Sequence, residues 1–194
     1  MSQFQTREEE AKTWVQTELH AFLGENPLDD GESEPYLVEC VLRSYNSSDT
    51  LEIFLDTETG VTISQCERFS RHLSAVFDAS PQIQELFRNY LRIEVSSPGA
   101  DRPIKDIRGL KRHIGRRVSL KLKHGLKEEA GSVKQSVLPQ TEGKLLAIET
   151  DEANQTVLVL DTTRKPKKGE RVRQEEPKSF PFDSVSEAQV IIDI

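Results

Sequence analysis

Leu91-Arg92-Ile93-Glu94-Val95-Ser96-Ser97-Pro98-Gly99-Ala100-Asp101-Arg102-Pro103 joins an alternating strand to a stiff corner. Leu91, Ile93 and Val95 alternate with Arg92, Glu94 and Ser96, the period of a strand buried on one face. Pro98-Gly99 fits the central pair of a type II turn, where proline presets φ and glycine supplies φ > 0. Ser97 and Arg102 each precede a proline and are biased to extended backbone. A flexible linker is not written this way. Charge and strand texture both change past Pro103, so a first domain, 1–103, and a second, 104–194, are expected.

Upstream, Thr6 with Glu9 forms a capping-box pattern, and Trp14, Val15, Leu19, Phe22 and Leu23 recur at helical spacing up to Gly24. A helix stopped by that glycine is expected, with Glu8, Glu9 and Glu10 solvated in its first turn. Asn26 to Pro35 is polar and reads as a loop. Tyr36 to Tyr45 and Leu51 to Asp56 read as a hairpin around Asn46-Ser47-Ser48-Asp49. Ser64 with Glu67 opens a second helix striped by Cys66, Phe69, Leu73, Val76 and Phe77. Pro81 to Asn89 fits either a helical turn or a packed loop. With the strand at Leu91 the order is αββαβ, an α+β arrangement of two layers.

Downstream the texture changes to short strands: Arg117 to Leu122, Lys144 to Ile148, Thr156 to Leu160 and Val190 to Ile194. Lys165 to Lys178 mixes basic and acidic residues and is expected to be a mobile loop.

Charge divides at the same corner. Residues 1–103 hold 8 Lys+Arg against 19 Asp+Glu, a balance of −11, whereas 104–194 hold 18 against 14, or +4. An acidic half repels phosphate backbones and suits basic proteins, and a mildly basic half can touch RNA without gripping it. Lys111, Arg112, Arg116, Arg117, Lys121 and Lys123 cluster around the first strand of the second half, with Arg117, Ser119, Lys121 and Lys123 at alternate positions. Arg116, Arg117, Lys121 and Lys123 are thus the candidate RNA-facing residues. A solvated strand face explains the cluster equally well, because aromatics for base stacking are scarce nearby.

Cys40 and Cys66 lack metal-ligand spacing and are expected to be buried or half-buried thiols in a reducing compartment. No signal-peptide core or long apolar window occurs, so a cytoplasmic protein with no membrane contact is expected. No Gly-x-x-x-x-Gly-Lys loop, dinucleotide fingerprint or paired-His motif occurs, and no cofactor or metal is expected. Ser96 and Ser97 beside Asp101 suggest a hydrolase only if a base reaches them. His20, His72, His113 and His124 are all distant in sequence and are expected on surfaces or helix faces.

The run Ser96-Ser97-Pro98-Gly99-Ala100-Asp101-Arg102-Pro103 resembles the signature of the ribosome maturation factor RimP family, a strand followed by Ser-Ser-Pro-Gly-x-Asp-Arg-Pro between two domains. The resemblance extends upstream through Leu51-Glu52-Ile53-Phe54-Leu55-Asp56 and Val61 to Ser70, and downstream to Phe182-Asp183-Ser184-Val185-Ser186-Glu187-Ala188. Ala100 replaces a larger apolar residue, and 124–142 is longer and more polar than is usual there. The resemblance implies a small SH3-like or Sm-like β-barrel in the second domain. It also implies a monomeric, non-enzymatic factor that binds the immature small ribosomal subunit, contacting rRNA and a basic ribosomal protein. The implied protein is small-subunit protein twelve, met by the carboxy-terminal domain. Ser96, Ser97, Pro98, Gly99, Asp101, Arg102 and Pro103 are then the inter-domain signature and a candidate partner contact. A general RNA-binding post-transcriptional regulator is the alternative.

Overall fold

The computed structural model describes residues 3–87, 90–99, 102–123, 140–151, 154–163 and 176–192. It is an α+β protein with two sheets, in two compact units, Met1–Gly99 and Ala100–Ile194.

The first unit runs α1 (Gln3–Glu25), β1 (Tyr36–Tyr45), β2 (Ser48–Asp56), α2 (Ile63–Ala79), α3 (Pro81–Leu86) and β3 (Tyr90–Ser96). Its sheet has the order β1-β2-β3, with β1 antiparallel and β3 parallel to the central β2. Parallel neighbours need a crossover, which α2 and α3 supply. The ambiguous 81–89 stretch thus contains a short helix with proline in its first turn.

The two-residue period of the strands decides which face is covered. Leu51, Ile53 and Leu55 of β2 and Cys40 and Leu42 of β1 are buried in one core with Trp14, Val15, Leu19 and Phe22 of α1 and Phe69 and Leu73 of α2. Both long helices therefore lie on one face of the sheet, where each large apolar side chain contributes about 1.5–3 kcal/mol. The opposite face carries Glu39, Val41, Arg43 and Tyr45 of β1, Ser48, Thr50, Glu52 and Phe54 of β2, and Tyr90, Arg92, Glu94 and Ser96 of β3, none of them buried.

Helix ends depart from the sequence expectations. α1 begins at Gln3, so Thr6 lies inside the helix and Glu8, Glu9 and Glu10 fall beyond its first turn. Arg7 ties this end down through its Asp49 ion pair and through Nε, which donates to the Leu86 carbonyl at 3.0 Å. Gly24 does not stop the helix. Asn26 does, its backbone N–H and its Nδ2 each donating to the Phe22 carbonyl at 2.9 Å. α2 is capped two residues earlier than expected: the Gln65 N–H donates to Thr62 Oγ1 at 3.1 Å and the Thr62 N–H to Gln65 Oε1 at 2.9 Å. Thr62-x-x-Gln65 meets the capping-box requirement as well as Ser64-x-x-Glu67 does, and Gln65 gains a further bond to the Ser33 carbonyl at 3.1 Å.

The second unit contains α4 (Ile107–Lys111), β4 (Arg117–Leu122), β5 (Gln140–Thr150), β6 (Thr156–Asp161), β7 (Lys178–Pro181), a 3₁₀ turn (Phe182–Ser184) and β8 (Val185–Val190). Its antiparallel sheet has the order β7-β6-β5-β4-β8. Leu110, Val118, Leu120, Leu145, Leu158, Leu160, Val185 and Ala188 form its core. β7 and β8 are the two edges, and no ladder joins them among the described residues. The last strand ends at Val190, where the sequence had suggested that one begins. Its inward positions are Val185 and the small Ala188, too few apolar residues for the pattern to show. Gly143 on β5 sits where a Cβ would lie 2.7 Å from the Asp161 carbonyl oxygen, so close strand approach excludes a side chain there. The expected loop at Lys165 to Lys178 lies outside the described residues up to 175, and 124–139 lie outside them entirely.

Candidate functional site

The signature begins on the last residue of β3 and leaves the strand at Ser97. Ser96 closes β3 on the open face of the sheet, opposite Phe54 of β2. Ser97 is exposed, Pro98 half-buried, and Gly99 takes φ 71°, the sign that the second central position of a type II turn requires. Ala100 and Asp101 lie outside the described residues. In the second unit Arg102 is half-buried and Pro103 exposed. Ile104, immediately after, donates its N–H to the Ala188 carbonyl at 2.6 Å and so fastens the chain to β8.

A serine nucleophile would need a base nearby, and the histidine of the helix layer is engaged elsewhere. His72 Nε2 lies 3.0 Å from Glu18 Oε2, and its ring stacks on Phe69 with an interplanar angle of 15°. That puts it between α1 and α2, across the sheet from Ser96. His20 is exposed on α1. His113 is buried, contrary to its expected surface position, and belongs to the second unit's basic turn. His124 lies outside the described residues. Both thiols are buried, and burial pushes Cys40 up to about 12 and raises Cys66.

The four candidate RNA-facing residues separate into three places. Arg117 and Lys121 project from β4 onto a face shared with β5 and β8, where carboxylates meet them. Lys121 Nζ is 2.7 Å from Glu187 Oε2, and Arg117 Nη2 is 3.7 Å from Glu142 Oε2. Gln140 Nε2 donates to Ser119 Oγ at 2.7 Å on the same face. Three cations, Arg117, Lys121 and Lys144, thus face three anions, Glu142, Asp161 and Glu187, across the register of this sheet. The alternation expected to carry Lys123 onto this face breaks, because the β4–β8 register shifts between Lys121 and Leu122. Lys123 instead borders a cleft of about 270 Å³ with Ile104, Phe182, Val185, Asp183 and Glu187.

Arg116 belongs to the turn between α4 and β4, where Lys111 at the end of α4, Arg112 and Arg116 gather cations around His113, Ile114 and Gly115. Its backbone is closely pinned. Gly115 donates to the Leu145 carbonyl at 2.7 Å, Leu145 to Arg116 at 2.9 Å, and Arg116 to His113 at 2.9 Å. Gly115 needs its φ of 88° for this path. His113 accepts from Arg112 Nε at 3.0 Å through Nε2, and its buried Nδ1 has no hydrogen-bond partner among the described residues. Burial, with the charges of Arg112 and Arg116, lowers its pKa to about 4, so at neutral pH it is an uncharged acceptor that orients Arg112. Ile114 stands 47% exposed at the tip. Periodicity could not reveal this turn, since it lies between elements and its strongest feature is a buried histidine.

The acidic loop of the first unit is partly used internally. Arg68 Nη2 lies 2.6 Å from Glu32 Oε2, and Nη1 3.4 Å from Asp29 Oδ2. Burial acts to raise the Glu32 pKa, but bonds from Arg68 and the Asp29 amide, with the Arg68 charge, hold it below the usual value.

The fold and these sites define a class: a two-unit α+β protein whose candidate residues lie on surfaces and a corner, with no nucleophile–base pair assembled around the signature serines among the described residues. A family model described as the RimP N-terminal domain matches residues 32–101. A curated relative, the ribosome maturation factor RimP of Prosthecochloris aestuarii, is 31% identical over 137 residues, covering 71% of this chain and 72% of the relative. The chain belongs to the RimP family. Among the described residues no helix is long and apolar enough to cross a membrane.

Proposed function

We propose that this chain is a ribosome maturation factor that binds the immature small ribosomal subunit as a cytoplasmic monomer and acts by binding, without catalysis. The observation that carries this is the family membership, with identity to a ribosome maturation factor across most of both chains. In this account the factor binds the immature arrangement more tightly than the mature one, because only differential affinity can shift an assembly equilibrium.

The domains are taken as 1–103 and 104–194, the second a small SH3-like barrel. Support comes from chain length. A flat five-stranded sheet would separate its edges by about 19 Å, yet only Phe182–Ser184 joins β7 at one edge to β8 at the other, and four residue steps reach at most about 14 Å. That short connection supports a sheet that curls towards closure.

Its rRNA contact is assigned to the pinned basic turn, with Lys111, Arg112 and Arg116 nearest phosphate and Lys123 at its own cleft. Arg117 and Lys121 contribute only by exchanging their glutamates for phosphate. That charge balance disfavours a general RNA-binding regulator, which would need an open basic face. Ser96 to Gly99 and Asp101 to Pro103 are assigned to setting the domains' geometry and to partner contact. The basic protein partner, protein twelve by family analogy, is assigned to the second domain. The test is binding of the full chain to purified immature and mature small subunits. Tighter binding to the immature particle is expected, and equal affinity for both, or for unrelated mRNA, would overturn the proposal.

A further inference from the structure

The open face of the first unit's sheet is ordered in rows across its three strands. Tyr45, Ser48 and Tyr90 are in register, and Arg43, Thr50 and Arg92 form the next row. Val41, Glu52 and Glu94 follow, then Glu39, Phe54 and Ser96. Tyr45 is 77% and Tyr90 65% exposed, and two inter-strand spacings set them about 9–10 Å apart. Each arginine pairs with a glutamate: Arg43 Nε lies 3.3 Å from Glu52 Oε1, and Arg92 Nε 2.8 Å from Glu94 Oε1. Two tyrosines and two paired arginines on a rigid sheet match the side chains that dominate binding energy at protein interfaces. Nothing in the core requires them there, since the helices cover the other face.

We infer that this face docks a second basic protein of the small ribosomal subunit, distinct from the one assigned to the second domain, with Tyr45 and Tyr90 as anchors; the inference rests on the maturation-factor reading above. Charge selects the occupant. The 1–103 half carries a balance of −11, and the face itself holds Glu39, Glu52 and Glu94 against Arg43 and Arg92. That field draws a basic protein and repels a phosphate backbone, although tyrosine and arginine could otherwise serve RNA stacking. The anchors bury aromatic area on the partner, and its cations meet the acidic field of this unit.

The test uses the full chain against each purified small-subunit ribosomal protein singly, and against protein-free small-subunit rRNA. The Tyr45→Ser, Tyr90→Ser double variant should bind one basic protein roughly thirtyfold more weakly, the loss associated with a single strong anchor, and leave rRNA affinity unchanged. Thr50→Lys puts a cation at the centre of the face, so it should weaken the same protein and would strengthen binding if RNA were the occupant. Both substitutions are outside the core, and an unchanged melting temperature confirms the fold. RNA affinity that moves with these variants, or protein affinities that do not move at all, overturns the inference. If the wild-type chain fails to bind immature small subunits, the maturation-factor reading itself falls, and this inference with it.

Discussion

Arg7→Met tests how the acidic first unit is held together. Asp49 is fully buried at the end of β2, ion-paired with Arg7, and accepts from Ser44 Oγ at 2.5 Å. Removing the guanidinium leaves a buried carboxylate without its cation and also frees the Leu86 carbonyl that Arg7 Nε serves. Breaking a buried pair on one side costs roughly 3–5 kcal/mol. Since the Arg7 side chain is 24% exposed and Ser44 remains, the low end, about 3 kcal/mol, is expected. Trp14 is the chain's single tryptophan, and its ring centroid lies 5.7 Å from that of Phe87 in this core, so its fluorescence follows the first unit alone. With a urea slope of about 1.5 kcal/mol/M, the fluorescence midpoint should fall by about 2 M. The double variant Arg7→Met, Asp49→Leu removes both charges and should recover most of the loss, giving a strongly non-additive cycle. A single-variant loss below about 1 kcal/mol, or a double variant no more stable than Arg7→Met, would refute the assignment of this pair as a fixed tie between α1 and the sheet.

Three other outcomes follow from the structure. His113 has a folded pKa lowered to about 4, so the unfolded chain binds more protons between that value and the ordinary histidine pKa; stability is fully present above about 6.5 and falls as pH drops towards 4. His113→Leu should remove about 3 kcal/mol of the second unit's acid sensitivity, read by amide exchange in β4 and β5, and an unchanged pH slope would count against a buried neutral imidazole. Gly143→Ala forces a Cβ against the Asp161 carbonyl and should cost about 1–3 kcal/mol, seen as faster exchange across β5 and β6; unaltered protection would contradict that close approach. Cys40 should resist maleimide in the native state and react on unfolding, with rapid native labelling as the contrary result.

Most strands were legible because alternation is local. Leu51, Ile53 and Leu55 mark the covered face of β2 by spacing alone, and Gly99 after Pro98 takes the positive φ that this pair implies. Helix caps were less legible, since Thr62 and Ser64 both satisfy the capping-box pattern and only the contact of Gln65 with Ser33 separates them. β8 was hidden because Val185-Ser186-Glu187-Ala188-Gln189-Val190 buries little apolar surface and takes its place from pairing with β4. The basic cluster was visible, but which cations face carboxylates depends on Glu142 and Glu187, brought alongside β4 by strands distant in sequence. The parallel pairing of β2 with β3, which puts Tyr45 and Tyr90 in one row, has no local signal either.

The central claim is tested most directly by sedimenting cell extract through a gradient and following this chain across the ribosomal particles. The account predicts that it travels with free and immature small subunits and is absent from complete ribosomes engaged in translation. A chain found on translating ribosomes, or spread over mRNA free of ribosomal particles, would contradict it.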